Sequence, residues 1–280
     1  MINRRNFIQH ASMAALTLPN LTSELLSIPK HRKNIGIQLY SVRVEMNQDA
    51  KGTLAKVARM GYNQVESFRS PKGLYSGLSP KEMAQTCKDL GMTLRSGHVH
   101  IDKDWLKTID QAAESGQEYL IVASMTTQGQ TIDNYKEVSD AFNKAGEQCK
   151  ARGLKFGYHN HQYEFDTVDG QVLYDILVTN TDPKLVHLEL DLGWAIAAGK
   201  NPFDYFDTYP GRFPLWHLKD MNVAEKKSTE FGKGTLDISG LLKSYKKSGM
   251  KYFFIEQEEY GKSAYESLAF DIDYYKKIKW

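Results

Sequence analysis

The chain has 280 residues, of which 41% are hydrophobic and 25% are charged. That length suits one large α/β barrel or two smaller domains, and the composition is ordinary for a soluble globular protein. The 36 basic residues against 34 acidic ones leave a net charge of +2, which gives no electrostatic argument for binding nucleic acid or an anionic membrane surface. The two cysteines, Cys87 and Cys149, lie in helix-like stretches without metal-type spacing, so we expect free buried thiols.

The first 33 residues differ from the remainder of the chain. Arg4 and Arg5 are followed by a hydrophobic residue, Phe7, and then by a short, mildly apolar run over residues 11–19. A paired arginine before such a run resembles a twin-arginine export signal, and the run is too short to span a bilayer. We therefore predict an export signal and linker over residues 1–33, a periplasmic or otherwise exported protein, and no membrane span. A basic amphipathic helix is the alternative.

From Asn34 onward, β-prone and helix-like segments alternate strictly, with glycine or proline marking several helix ends. The predicted strands are residues 35–40, 64–67, 93–99, 118–123, 154–158, 185–190, 214–218 and 252–256. The predicted helices are residues 50–60, 79–91, 103–115, 134–152, 172–178, 203–209, 238–248 and 264–278.

Strict alternation predicts a parallel sheet, and eight strand–helix units match the typical barrel length of ~250 residues. The predicted fold is therefore an α/β (β/α)8 TIM barrel that fills residues 34–280 as one domain. A doubly wound open sheet is the alternative. It would need a glycine-rich phosphate loop after its first strand, and the segment Gln38–Arg43 contains no glycine.

Four β-prone segments in the second half of the chain end in side chains that bind metals or transfer protons. They are His159-Asn-His161 with Glu164, Glu189-Leu-Asp191, His217-Leu-Lys219-Asp220 and Glu256-Gln-Glu258. In a barrel of parallel strands, reactive residues lie at the C-terminal strand ends, and residues i and i+2 share a face. Carboxylates and imidazoles without cysteine favour an open catalytic site for one divalent metal ion, Mn²⁺, Co²⁺, Mg²⁺ or Zn²⁺, over a structural zinc site.

These segments resemble those of the sugar phosphate isomerase/epimerase family, the xylose isomerase-like TIM barrels of the AP endonuclease 2 superfamily. The resemblance implies a small-molecule sugar substrate and four metal ligands from strands five to eight. Asp191, His217 and Glu256 match the last three ligands. The family's strand-five glutamate is replaced here by histidines, so we predict Glu164 as the fourth ligand, with His159 or His161 as alternatives. The matching segments are Gly36–Arg43, His159–His161, Asp191–Trp194, His217–Asp220, Gly232–Asp237 and Ile255–Glu258.

An isomerase or epimerase needs two acid/base groups that face one substrate carbon. One group removes a proton next to a carbonyl, the resulting enediolate is stabilised by the metal, and the other group returns the proton. The resemblance implies these roles for Glu256 and the strand-five carboxylate, here Glu164. A lyase or dehydratase on keto-sugars or 3-keto-glycosides is the alternative. It shares the first step and then expels a β-oxygen group, with His159 or His161 as the acid. Lys219 completes the predicted catalytic set as a contact for a hydroxyl or phosphate.

Five further residues form the predicted substrate contacts. The resemblance implies that His98, at the end of the third strand, lines the pocket. Glu66 ends the second strand and could hold a substrate hydroxyl or a pocket arginine, while Tyr40, Trp194 and Glu258 lie within the matching segments. An endonuclease IV-like phosphodiesterase and a non-catalytic sugar-binding barrel rank below the sugar enzyme. We expect no nucleic acid partner, and the assembly state is open, a homo-oligomer included.

Overall fold

The computed structural model describes residues 34–280. Eight parallel strands close into a barrel in which each strand pairs with its neighbours in sequence and the first pairs with the last, which confirms the predicted (β/α)8 TIM barrel. The predicted export signal over residues 1–33 lies outside the described residues and stays a prediction. The strands are β1 Gly36–Gln38, β2 Gln64–Phe68, β3 Thr93–Val99, β4 Tyr119–Val122, β5 Lys155–His159, β6 Val186–Asp191, β7 Leu215–Leu218 and β8 Tyr252–Ile255.

Helices cover the outside of the barrel, and none in residues 34–280 has the length and apolar character needed to cross a membrane. Local sequence sets their ends. Ser79 and Glu82 form a capping box ahead of the third helix, and Gly61 ends the second helix with a φ of 112°. The helices are α1 Arg43–Gln48, α2 Ala50–Met60, α3 Pro80–Asp89, α4 Trp105–Ser115, α5 Ile132–Lys150, α6 Leu173–Asn180, α7 Leu192–Ala197, α8 Pro202–Thr208, α9 Ile238–Lys243, α10 Tyr245–Ser248 and α11 Ala264–Lys277.

Several segments differ from the sequence prediction, and helix α1 was not predicted. Strand β1 ends at Gln38 because its side chain accepts a hydrogen bond from the backbone N–H of Tyr40 at 2.9 Å and starts a 3-10 turn over Leu39–Val42. Helix α7 was not predicted; it follows β6 directly because the Asp191 side chain caps it. The predicted helix over 238–248 is divided into α9 and α10 at Ser244.

Alternation along the strands builds the barrel interior in layers. An apolar cluster of Tyr119, Ile121, Leu215 and Phe254 fills the barrel interior. Two residues after Leu215 on β7, the inward position is taken by His217, which lies level with Phe254 of β8 and with Asp191 of β6. The polar groups at the C-terminal end of the barrel therefore stand on an apolar floor.

The loop after β7 is fixed by one buried carboxylate. Asp220 accepts hydrogen bonds from the backbone N–H groups of Met221, Gly232, Gly234 and Leu236 at 2.8–3.1 Å. A side chain at Gly234 would place its Cβ 2.2 Å from the Asp220 carboxylate, so this position needs glycine. The segment Gly232–Asp237, which carried part of the family resemblance, is thereby held next to the end of β7.

Candidate metal and catalytic site

Four side chains from different strands converge at the C-terminal end of the barrel: His159, Asp191, His217 and Glu256. All four are buried, and one possible ligand atom from each lies within 4.8 Å of the other three. Nε2 of His159 is 3.3 Å from Oδ2 of Asp191, and Nδ1 of His217 is 2.9 Å from Oε2 of Glu256. These four residues, which end β5, β6, β7 and β8, form the ligand cluster.

The ligand cluster fits a divalent metal ion. It offers two imidazole nitrogens and two carboxylate oxygens, a donor set that Zn²⁺ and neighbouring transition metals accept. Three of the separations between these atoms are 2.9, 3.3 and 3.7 Å, which suit ligands around one ion with bonds of about 2.0–2.2 Å, and all of them lie within 4.8 Å. Such an ion is a Lewis acid that can polarise a carbonyl oxygen.

The cluster's aspartate is held in place from two sides. Its Oδ1 accepts a hydrogen bond from the backbone N–H of Trp194 at 2.8 Å, which leaves Oδ2 for the cluster. The backbone N–H of Asp191 donates to the side chain of Asn160 at 3.0 Å, which ties the end of β6 to the end of β5. Both bonds fix the ligand before any ion arrives, as a preorganised site requires.

Lys219 is a fully buried cation among the cluster's carboxylates. Its Nζ lies 3.0 Å from Asp191, 2.7 Å from Glu256 and 2.5 Å from Glu258. Burial alone would lower the pKa of the ammonium, but Asp191 and Glu256 outweigh it and hold that pKa well above its ordinary value. Lys219 was predicted to be catalytic; the structure places it within the carboxylate network of the site.

Glu164 is not brought to the ligand cluster. A 3-10 turn over Tyr163–Phe165 directs its side chain back under the barrel end, where Tyr158 donates to Oε1 at 2.5 Å and the backbone N–H of His161 to Oε2 at 2.8 Å. The residue is fully buried, and burial raises the pKa of its carboxyl to about 7. The structure therefore does not place Glu164 for its predicted metal and acid/base roles, because both its oxygens are engaged elsewhere and His159 lies in the ligand cluster at the end of β5.

Glu66 is also fully buried and, with His98 and Glu189, lies on the Nε2 side of His217; these three residues are called the lower layer. Its Oε1 accepts from Gln38 Nε2 at 2.8 Å and lies 2.6 Å from His217 Nε2, and its Oε2 accepts from Ser96 Oγ at 2.5 Å. With its oxygens occupied by protein groups, it has no substrate-facing atom. The structure therefore does not bring Glu66 to a cavity wall, and its role as a substrate contact stays a prediction.

Glu189 belongs to the same lower layer and was missing from the predicted site. Its Oε2 is 2.8 Å from Nε2 of His98, whereas its Oε1 has no hydrogen-bond partner among the described residues. Burial and the nearby carboxylate of Glu66 raise the pKa of Glu189 to about 7. Its position two residues before Asp191 was the available signal, since both side chains point into the barrel.

A cavity of about 210 Å³ opens above the ligand cluster. We call it the inner cavity. Besides His159 and Glu256 of the ligand cluster, its wall includes four described residues that were predicted for catalysis or substrate contact: Tyr40, His98, His161 and Glu258. Tyr40 is 40% exposed and meets Phe68 edge to face at 5.5 Å between ring centroids. Sequence reasoning missed Phe68, Arg69 and His100, which also line the cavity from β2, β3 and the loops that follow.

A second, more open cavity of about 460 Å³ lies on the β5 and β6 side. We call it the outer cavity, and it is lined by His161, Gln162, Tyr163, Asp166 and Trp194. His161 borders both cavities, and the ring of Tyr163, 36% exposed, stacks on it at 5.6 Å with an angle of 9°. Burial and the charge of Lys219 lower the pKa of His161 to about 4, so this ring is neutral near pH 7.

Comparison with known proteins places this geometry in a family. The sequence profile of the xylose isomerase-like TIM barrels matches residues 54–277, most of the chain. The chain belongs to this family. The predicted family resemblance is thereby confirmed.

Members of the xylose isomerase-like family with similar sequences are named as dehydratases. A Geobacillus kaustophilus protein named inosose dehydratase is 29% identical over 191 residues, which are 60% of this chain and 61% of that protein. A Clostridium beijerinckii protein of the same name is 32% identical over 100 residues, covering 35% of this chain and 33% of that protein. The match thus spans about three-fifths of the first relative's length.

Solved structures of the family carry isomerase names as well. A sugar phosphate isomerase/epimerase from Parabacteroides distasonis superposes with a TM-score of 0.78 at 28% identity, over 89% of this chain and 94% of that one. The IolI protein with a bound zinc atom superposes with a TM-score of 0.68 over 86% of this chain and 95% of that one, but its 15% identity shows the shared fold alone. The relatives therefore include proteins named for elimination and for isomerisation.

Proposed function

We propose that the protein is a metal-dependent lyase that removes a β-oxygen substituent from a keto-sugar after breaking the C–H bond next to the carbonyl. The end of β5 carries this proposal. It presents His159 and His161 to the site, while its nearby carboxylate, Glu164, is buried away from the cavity. The two carboxylates that line the inner cavity, Glu256 and Glu258, both follow β8, so an epimerase with a carboxylate on each side of the carbon lacks one of them.

The four cluster residues would hold the metal ion, which supplies Lewis-acid polarisation of the keto oxygen when bound. His161 would take the proton from the carbon next to the carbonyl as a neutral imidazole. The electron pair of that C–H bond then forms the carbon–carbon double bond as the β-oxygen leaves. His161 returns its proton to the departing oxygen, so that the imidazole ends as it began.

The position of His161 between the two cavities supports its role in accepting and returning the proton. A ring bound in the inner cavity places its reacting carbons beside the imidazole, and a group that leaves toward the outer cavity passes the same side chain. Burial of the imidazole beside Lys219 keeps it unprotonated and able to accept a proton. The dehydratase name of the Geobacillus kaustophilus relative agrees with an elimination.

The outer cavity favours a keto-glycoside over a small free keto-sugar. Its wall combines the aromatic rings of Tyr163 and Trp194 with the polar side chains of Gln162 and Asp166. Aromatic faces beside a few polar groups suit the apolar faces and hydroxyl edges of a sugar or aryl substituent. We therefore infer that the oxygen that leaves carries such a substituent.

A chromogenic assay tests the proposal. The purified protein is loaded with Mn²⁺, Co²⁺, Mg²⁺ or Zn²⁺ and given the 3-keto derivative of a nitrophenyl glucoside. We expect nitrophenolate release together with an unsaturated keto-sugar that absorbs in the ultraviolet, and loss of both after chelation. His161→Gln should lower kcat by about 10²–10⁴-fold, the usual contribution of a positioned acid/base group.

His100→Gln is the matched control. His100 is the same residue type and lines the same cavity, but it lies after β3 with its Nδ1 2.8 Å from Ser124. It should keep most of the activity. Equal loss in both variants, or no unsaturated product with any of the four ions, would contradict the lyase.

Isomerisation or epimerisation is the second candidate, favoured by the name and close superposition of the Parabacteroides distasonis structure. Both reactions begin with the same proton abstraction, so the products separate them. In deuterated water, an epimerase incorporates deuterium into recovered sugar without releasing a leaving group. Product analysis by NMR that finds deuterated epimer and no unsaturated sugar would select this candidate over the lyase.

A further inference from the structure

His217 uses its two ring nitrogens on opposite sides of the imidazole. Nδ1 faces the ligand cluster, 2.9 Å from Glu256, and Nε2 faces the lower layer, 2.6 Å from Glu66. We propose that Glu66 is a positioning residue that accepts the Nε2–H of His217 and so directs the Nδ1 lone pair at the metal ion; this rests on the metal-dependent function proposed above. Glu66 itself touches neither ion nor substrate.

The chemistry of imidazole supplies the first argument. A neutral ring carries one proton, and the nitrogen without it is the one that can bind a metal. A carboxylate at 2.6 Å from Nε2 stabilises the proton on that nitrogen, which leaves Nδ1 free. Histidine ligands commonly donate their other N–H to a carboxylate, which fixes the ring and increases its basicity as a ligand.

The second argument is that Glu66 is itself held in place. Gln38 of β1 donates to its Oε1 and Ser96 of β3 donates to its Oε2. Both partners lie level with Glu66 in the strand pairing, so three adjacent strands set the position of the carboxylate. Because Glu66 is fully buried, neither water nor substrate competes for its oxygens.

A second metal ion in the lower layer is the alternative to a positioning role for Glu66. Glu66, His98, Glu189 and His217 also bring possible ligand atoms within 4.8 Å of one another, so a second ion in the lower layer is conceivable. Hydrogen bonds account for these approaches, since Nε2 of His98 lies 2.8 Å from Glu189 and 3.2 Å from Glu66. We favour one ion in the ligand cluster, with the lower layer as its support.

Metal titration of Glu66→Gln tests the assignment. We expect wild type to bind one Co²⁺ per chain, and the variant to bind one Co²⁺ about 10–100-fold more weakly, the usual loss when a hydrogen-bond partner of a ligand is removed. The visible absorption of bound Co²⁺ should shift in the variant. The nitrogen chemical shifts of His217 in Zn²⁺-loaded, labelled protein should show protonated Nε2 in wild type and a weakened preference in the variant.

Glu189→Gln is the matched control, because Glu189 has the same side chain, lies in the same buried layer and has its shortest histidine contact with His98, 2.8 Å away. We expect less change in its Co²⁺ affinity than for Glu66→Gln. If Glu66→Gln fails to fold, Ser96→Ala removes one of the bonds that hold Glu66 and should weaken Co²⁺ binding several-fold.

Three results would overturn the proposal: unchanged affinity and spectrum in Glu66→Gln, an equal loss in Glu189→Gln, or a second Co²⁺ per chain that Glu66→Gln abolishes. The last would make Glu66 a ligand. The titration needs no turnover, so it separates this inference from the proposed reaction. Wild-type protein that binds Co²⁺ as expected but eliminates nothing refutes the lyase and leaves Glu66 in its role, whereas protein that binds no ion refutes both.

Discussion

His159 and Glu164 should respond in opposite ways when each is replaced by glutamine. His159→Gln removes an imidazole from the ligand cluster and should weaken metal binding. Glu164→Gln removes a buried carboxylate that accepts bonds from Tyr158 and His161 and should weaken the fold. The two variants together decide which residue at the end of β5 holds the ion.

The expected sizes follow from the contacts. At a pH where Glu164 is protonated, its carboxyl makes neutral hydrogen bonds. Glutamine keeps one acceptor oxygen but turns an NH₂ toward the second donor, and a buried donor left without a partner costs about 1–3 kcal/mol. The free energy of unfolding should therefore fall by about 1–3 kcal/mol, which lowers the Tm by about 2–12 °C in a domain of this size. For His159→Gln, losing a ligand should cost at least the ~100-fold in metal affinity that losing a ligand's partner can cost.

Two assays read these outcomes separately. Thermal unfolding with a chelator present, at about pH 5 so that a carboxyl with a pKa of about 7 is protonated and its charge does not enter the comparison, measures the fold without the ion. Competition with a coloured chelator measures metal affinity. Glu164→Gln should lose stability and keep its affinity within a few-fold, and His159→Gln the reverse. If Glu164→Gln instead loses the metal while His159→Gln keeps it, the ligand assignment drawn from this geometry is refuted.

Three further outcomes are expected. Burial raises the pKa of Asp271 to about 7, above the unfolded value of about 3.9, so its contribution to the free energy of unfolding falls as pH rises from about 4 to 7. Asp271→Asn should therefore gain roughly 2–4 kcal/mol in free energy of unfolding over wild type across that interval, as measured by urea unfolding at several pH values. Gly193→Ala would place a Cβ 2.8 Å from the carbonyl oxygen of Lys219 and should cost about 1–3 kcal/mol in the same assay, whereas a wild-type midpoint would show that the backbone yields without strain. Tyr163→Ala should raise KM for an aryl keto-glycoside about 2–10-fold through loss of an aromatic contact while leaving turnover of an unsubstituted keto-sugar unchanged; an equal effect on both substrates would count against the outer cavity as the substituent's site.

The sequence allowed the fold and half of the site to be predicted, because both depend on strand ends. Asp191, His217 and Glu256 each finish an apolar run of a barrel strand, and parallel strands deliver their ends to one rim. Alternation also placed His161 on the same side as His159. The strand pattern therefore carried the information for three residues of the ligand cluster and for one residue of the cavity wall, His161.

The structure places Glu164 and Glu66 differently from the sequence expectation, because turns and contacts across the barrel are not contained in the strand pattern. Glu164 follows β5 by five residues, and its direction depends on a 3-10 turn whose partner, the Tyr158 hydroxyl, lies on the preceding strand. Glu66 meets the Nε2 side of His217 and lies outside the walls of both cavities. Which groups a buried carboxylate meets depends on contacts across the closed barrel, and a single strand does not contain that information.

The buried ammonium of Lys219, beside Asp191 and Glu256, should make the stability of the barrel independent of a bound metal ion. Because Lys219 already neutralises part of the carboxylate charge, we expect the rim to stay assembled without an ion, unlike a zinc finger, which unfolds without its metal. Ions can then be exchanged on an intact scaffold. Affinities of divalent metals for such sites follow a general order, so the ion that occupies this one in a cell should reflect which metals that compartment makes available.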